Sequence, residues 1–209
     1  MKVGILGSGD VAKALAAGFR ANGHEVMIGT RSPDKLRGWS SPPAAGSFSE
    51  TARFGELVVL AVKGGAAMDV LRASTADHLD GKTVIDATNP IADAPPENGV
   101  LRFFTDINGS SMERLQAEFP RVRFVKAFNS VGSACMVNPK FKGGTPTMFI
   151  CGNDESAKRV VCGILDEFGW ETEDMGGAQA ARAIEPLCML WCIPGFRQND
   201  WMHAFKLLR

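Results

Sequence analysis

The sequence predicts an α/β protein built on a doubly wound parallel sheet, with a short C-terminal helical appendage. Strand-like and helix-like segments alternate along the chain. The strands read as short apolar runs such as LVVLAV, residues 57–62, as strands covered on both faces must. Between the first strand and the first helix stands GSGDVA, residues 7–12, a glycine turn of the Rossmann type.

The elements follow in order. KVGILG is a buried strand, and DVAKALAAGFRANG a helix with apolar residues at Val11, Leu15, Ala16 and Phe19, stopped by Gly23. EVMIGT is the second strand. SPDKLRGWSSPPAAGSFSE is rich in serine, proline and glycine and reads as a loop around a short helix. LVVLAV is the third strand, AAMDVLRAS a helix and KTVIDAT the fourth strand. A long loop leads to the helix SMERLQAEFP and the strand RFVKAFNS, and PTMFICG is another strand. The helix DESAKRVVCGILDEFGW carries Asp154 as N-cap and an apolar stripe at Val160, Val161, Ile164, Leu165 and Phe168. ETEDMG is a short final strand, and the tail has a mostly helical pattern. The expected division is a dinucleotide-binding domain over residues 1–177 and a helical extension over 178–209.

Composition narrows the function. The 209 residues are 45% hydrophobic, enough for one compact core. Lysine plus arginine equals aspartate plus glutamate at 23 each, so no long-range field draws nucleic acid or an anionic membrane. No apolar run reaches the roughly 20 residues that span a bilayer, and MKVGIL leaves no room for a signal peptide. The five cysteines are odd in number and sit in apolar segments. Cys188 and Cys192 share a helix face without a second pair to complete a metal site, so reduced core thiols in a cytoplasmic protein are expected and no metal. Tyrosine is absent, which excludes a tyrosine acid.

The glycine turn has a mechanical reading. Gly7 permits the tight turn, Gly9 lets the backbone approach a pyrophosphate, and Ala12 allows close helix–strand packing. Free N–H groups around Ser8, Asp10 and Val11 supply the anion site. A dinucleotide site of this kind usually has an acid at the end of the second strand to grip a ribose. Thr30, Arg31 and Ser32 stand there instead, with Lys35 close behind. An acid would repel a 2′-phosphate, whereas hydroxyls and a guanidinium fork bind one. One charge-assisted bond of about 1.5–3 kcal/mol favours NADP(H) over NAD(H) by about ten- to a hundredfold.

The nicotinamide would lie beyond the carboxyl ends of the strands, where Ala61, Val62, Lys63, Asn89, Asn129 and Ser130 fall. Asn89 before Pro90 also suits a turn cap, and Lys63 a solvated side chain. Ala127, Phe128 and Val131 would form an apolar floor. No Ser-His-Asp set, H-E-x-x-H or Cys/His cluster is present, and His24, His78 and His203 read as turn or surface residues. Alcohol and hydroxy-acid dehydrogenases need a positioned acid or base. A flavin-like ring places less demand on the protein, so a ring acceptor is favoured.

GILGSGDVAKALA, GHEVMIGTRSP, VVLAV, VKAFNSVG and AARAIEPLCMLW together resemble the NADP oxidoreductases that act with the deazaflavin coenzyme F-420 (F420). They are also similar to the cytosolic NADPH-flavin reductase domain of the six-transmembrane-type metalloreductases. The resemblance implies a homodimer, with Thr30, Arg31 and Lys35 on the 2′-phosphate and Ser8 to Val11 over the pyrophosphate. It further implies that Ala61 to Lys63 line the nicotinamide ribose and that Ala127 to Val131 lie where the two rings meet. FNSVG stands where the F420 enzymes carry a histidine-threonine-proline-like segment, so Asn129 and Ser130 put different side chains there.

The expected function is hydride transfer between NADP(H) and a small-molecule ring acceptor: FMN, FAD or coenzyme F420. The alternatives are an imine or hydroxy-acid reductase, which needs a large second helical domain, and a non-catalytic NADP(H)-binding redox sensor.

Overall fold

The structure, a computed structural model, describes every residue except Ser40, and Lys35 by its backbone alone. β1 (Lys2–Leu6) lies between β2 (Glu25–Gly29) and β4 (Leu57–Leu60), parallel to both. β3 (Ala44–Gly46) pairs with β2, while β5 (Thr83–Asp86) and β6 (Arg123–Lys126) extend beyond β4. The order β3-β2-β1-β4-β5-β6, parallel throughout, is that of a Rossmann sheet. The chain reverses its direction of winding between β1 and β4, which opens a crevice at their carboxyl ends.

Strand alternation feeds a core on each face. In β4, Leu57 and Val59 join the cluster under α1 (Asp10–Ala21) and α5 (Glu155–Glu167). Val58 and Leu60 join the cluster under α2 (Phe48–Phe54), α3 (Gly64–Ala73) and α4 (Ser111–Glu118). That two-sided burial is why the strand reads as an uninterrupted apolar run. On the first face Phe19 packs on Phe168 with centroids 5.0 Å apart. Each such fully buried side chain contributes about 1.5–3 kcal/mol. β7 (Thr147–Ile150) and β8 (Glu171–Asp174) form a separate parallel pair, tied to β6 by an antiparallel bridge between Lys126 and Cys151. All five cysteines are free thiols, and burial pushes Cys151 up to about 12.

Two local expectations need correction. The segment read as a loop around a short helix contains a 3₁₀ turn (Pro33–Gly38), then β3, then the start of α2. α2 begins in a capping box: Glu50 N donates to Ser47 Oγ at 3.2 Å, and Ser47 N donates to Glu50 Oε2 at 2.8 Å. β3, made of Ala-Ala-Gly, has no intrinsic strand preference and owes its form to pairing with β2. Asp154 does cap α5, its Oδ1 accepting from Ala157 N at 2.8 Å, but Val160 is 41% exposed and lies off the stripe. The tail is mostly helical, as its pattern indicates: a 3₁₀ turn (Ala178–Ala180) leads into α6 (Ala181–Gln198), which ends at Asn199 in the left-handed region. The last ten residues run back against β7, where Thr147 N donates to Phe205 O at 2.9 Å. The return is fixed by Trp191, whose ring stacks on His203 and whose Nε1 donates to His203 O at 2.8 Å.

Candidate functional site

A cleft of about 640 Å³ opens where the winding reverses. Gly7, Ser8, Gly9, Asp10 and Val11 line it from the β1–α1 turn, Thr30, Arg31 and Ser32 from the end of β2, and Ala61, Val62 and Lys63 from the end of β4. The fold thus brings together in one cleft all but two of the residues expected to hold the cofactor. Of those two, Lys35 has its side chain outside the described residues, and Asn89 lies elsewhere.

The two motif glycines act differently. Gly7 has φ +132°, and a Cβ there would stand 2.1 Å from Ala61 O, so the close approach of the chain just beyond the paired ends of β1 and β4 excludes any side chain. Gly9 has ordinary backbone angles, and its Cβ would meet nothing within 4 Å. Its bareness therefore serves the open cleft and not the fold. No side chain caps α1 at Gly9, so its first-turn N–H groups face the cleft as anion donors.

At the end of β2, Thr30 is buried and organises the turn. Its Oγ1 lies 2.9 Å from Ser8 Oγ and accepts from Ser32 N at 3.1 Å. This ties the β1–α1 turn to the turn after β2. Arg31 is exposed at the cleft edge. The nearest acid in sequence, Asp34, pairs with Arg37 at 2.9 Å, and no carboxylate among the described residues pairs with Arg31. Guanidinium, hydroxyls and unbonded N–H groups form a donor set that fits a phosphorylated dinucleotide. Among the described lining residues Asp10 is the sole carboxylic acid, and none is a histidine.

Beyond β5 and β6 the expected residues lie deeper. Ala87 lines the cleft, whereas Asn89 and residues 127–131 do not. Asn89 Nδ2 donates to Asn129 O at 2.7 Å, and Asn129 Nδ2 donates to Asn89 Oδ1 at 3.1 Å and to Ile184 O of α6 at 3.0 Å. Phe128 holds φ +62°, a left-handed conformation costing about 1–3 kcal/mol that turns the chain toward α6. Ala127, Phe128 and Val131 are buried in the first core cluster, and Ser130 is buried beside them.

One buried group escaped the sequence reading. Lys126, wholly buried on β6, lies 2.7 Å from Asp86 Oδ2, an ion pair without hydrogen-bond geometry, and 2.9 Å from Glu185 Oε1 of α6. It also donates to Thr88 O at 2.9 Å. Burial alone would lower the lysine's pKa; the two carboxylates outweigh it and hold it above its ordinary value. Glu185 also accepts from Ser111 N at 2.9 Å and Met112 N at 3.0 Å, so the start of α4 offsets the second carboxylate. The signal was present in the sequence as opposite charges inside two apolar segments, RFVKAF and AIEPLC.

Among the described residues no helix is long and apolar enough to cross a membrane, and no three His, Cys, Asp or Glu side chains are placed to hold a metal. A family model described as NADP oxidoreductase, coenzyme F420-dependent, matches residues 2–90. Metalloreductase STEAP3 of Rattus norvegicus is 34% identical over 197 residues, which are 92% of this chain and 38% of that protein. The chain thus spans well under half the length of that relative. The F420-dependent NADP reductase of Methanocaldococcus jannaschii is 26% identical over 208 residues, 91% of this chain and 90% of that one. A solved structure from Arthrobacter sp. FB24, provisionally described as an F420-dependent NADP-reductase, is 30% identical and superposes with a TM-score of 0.90 over 100% of both chains.

Proposed function

Because this chain belongs to the coenzyme F420-dependent NADP oxidoreductase family, we propose that it moves a hydride between NADP(H) and a flavin or deazaflavin ring. The observation that carries the cofactor half is the cleft itself, where a bare glycine turn meets Thr30, Arg31 and Ser32 and no acid ends β2. The N–H groups at the start of α1 would hold the pyrophosphate, and Arg31 the 2′-phosphate, with Lys35 near it. Ala61, Val62 and Lys63 would flank the nicotinamide ribose.

When bound, NADPH supplies the hydride. The chain's part is to bind, orient and exclude water. Gly7 sets the turn, the Ser8–Thr30 contact locks it, and the Asn89–Asn129 pair holds the loops beyond β5 and β6 in register. The shortage of acids in the cleft supports an acceptor that needs no strong proton donor from the protein. A cytoplasmic homodimer, with residues 178–209 as an extension of the binding domain, completes the reading.

NADPH absorbance followed with FMN, FAD, coenzyme F420 or a cyclic imine tests it. Oxidation with one ring acceptor, and much slower with NADH, is expected. Oxidation with the imine alone would transfer the chemistry to imine reduction. Tight NADPH binding with no turnover would leave a redox sensor.

A further inference from the structure

A second cavity, of about 290 Å³, lies between α3 and α4. It shares a wall with the cleft: Lys63 and Ala66 face the cleft, while Gly64 and Gly65 between them face this cavity. Two of its lining residues pack on the loop after β5. A Cβ on Gly64 would come within 1.9 Å of Asn89 O, and Phe104, which lines the cavity, donates its N–H to Pro90 O at 2.8 Å.

Its polar groups are unengaged. Arg114 lies exposed with its guanidinium 5.8 Å from the centroid of the Phe104 ring. Neighbouring acids serve other partners: Glu113 pairs with Arg182 at 2.6 Å and Glu118 with Arg72 at 2.8 Å. No carboxylate among the described residues pairs with Arg114. Ser111 is 4% exposed and gives its backbone N–H to Glu185, yet its hydroxyl has no partner among the described residues. Ser111 is one of the residues that line the cavity. Gly65 leaves open space where a Cβ would stand, in the uncapped first turn of the ten-residue α3. A guanidinium, the hydroxyl of a buried serine and bare helical N–H groups around one small volume are the donors an anion takes.

We propose that this cavity binds the phosphate on the side chain of the hydride acceptor, holding that acceptor beside the cleft. The inference rests on the ring-acceptor reading and narrows it: FMN and coenzyme F420 carry a phosphate on the ring's side chain, whereas riboflavin and a cyclic imine do not. Arg114 would bind it as a fork, with Ser111 Oγ as a second donor, and Phe104 would hold the guanidinium in place.

Equilibrium dialysis on NADP⁺-saturated protein would compare FMN with riboflavin, and coenzyme F420 with its deazariboflavin core lacking the phosphodiester. In the pair that binds, the phosphorylated member should bind about tenfold tighter or more. Arg114→Ala and Ser111→Ala should each shrink that gap, with affinities for NADPH and for the phosphate-free ring unchanged. Equal affinities within both pairs, a gap that survives both substitutions, or no binding of any of the four would overturn the proposal. A gap that behaves as expected, without NADPH oxidation by any acceptor, would sink the reductase reading and leave the phosphate site standing.

Discussion

Asn89 and Asn129, 40 residues apart in sequence, hold each other by two hydrogen bonds, one to a side-chain oxygen and one to a backbone oxygen. The second amide hydrogen of Asn129 is given to Ile184 O, so the pair joins the loops after β5 and β6 to α6. Asn129→Ala removes both donations and should cost about 2 kcal/mol. Steady-state kinetics should show kcat falling while NADPH affinity changes little, because the pair lies outside the cleft that the glycine turn and Arg31 line. An unchanged kcat in a folded variant would remove the pair from any positioning role.

The two motif glycines should separate stability from binding. Gly7→Ala, at φ +132° and against Ala61 O, should destabilise by well over 1 kcal/mol in urea titration. Gly9→Ala enters open space and should leave the denaturation midpoint unchanged while weakening NADPH binding. Undiminished binding in Gly9→Ala would mean that the pyrophosphate does not approach this backbone.

Arg31→Ala tests cofactor choice. Calorimetric titration should show NADPH affinity falling about ten- to a hundredfold, the equivalent of 1.5–3 kcal/mol, with NADH hardly affected. Equal losses for both dinucleotides would place Arg31 away from the 2′-phosphate.

Lys126→Met leaves Asp86 and Glu185 buried without their cation and should cost about 3–5 kcal/mol. The folded protein holds this lysine above its ordinary value. Its contribution is therefore complete below the unfolded lysine value of 10.5 and is lost only as pH rises through the higher folded value. Unfolding free energy measured against pH should show that alkaline loss in the parent and lack it in Lys126→Met.

Glu113 titrates on the acid side. Its hydrogen bond from Arg182 is the largest influence and, against the opposing effect of burial, holds the carboxyl below 4.5. Its contribution is present above 4.5 and is lost as pH falls through the lower folded value. Glu113→Gln should flatten that part of the acid limb of the stability curve. A limb identical to the parent's would show that the pair contributes nothing.

Local features were legible in proportion to how local their physics is. The glycine turn of 7–12 needs only neighbours in sequence, and the absence of an acid at Thr30-Arg31-Ser32 is read directly from the strand that precedes it. The apolar run of β4 announces two-sided burial. The Ser47–Glu50 capping box was equally local but lay inside a serine- and proline-rich stretch whose composition suggests a loop. Val160 shows the limit of periodicity, since a stripe leaves the orientation of its marginal members to whatever packs against them.

By itself the sequence determined the fold class, the glycine turn of residues 7–12 and the lack of an acid at the end of β2, because each depends on contacts within one strand–turn–helix unit. Tertiary structure alone decided what lies beyond β5 and β6. The Asn89–Asn129 pair, the burial of Lys126 between Asp86 and Glu185, and the meeting of Gly65, Ser111 and Arg114 around one cavity each join segments far apart in the chain. Their partners are chosen by how the sheet and helices pack, and no periodicity or motif within a single segment encodes that choice.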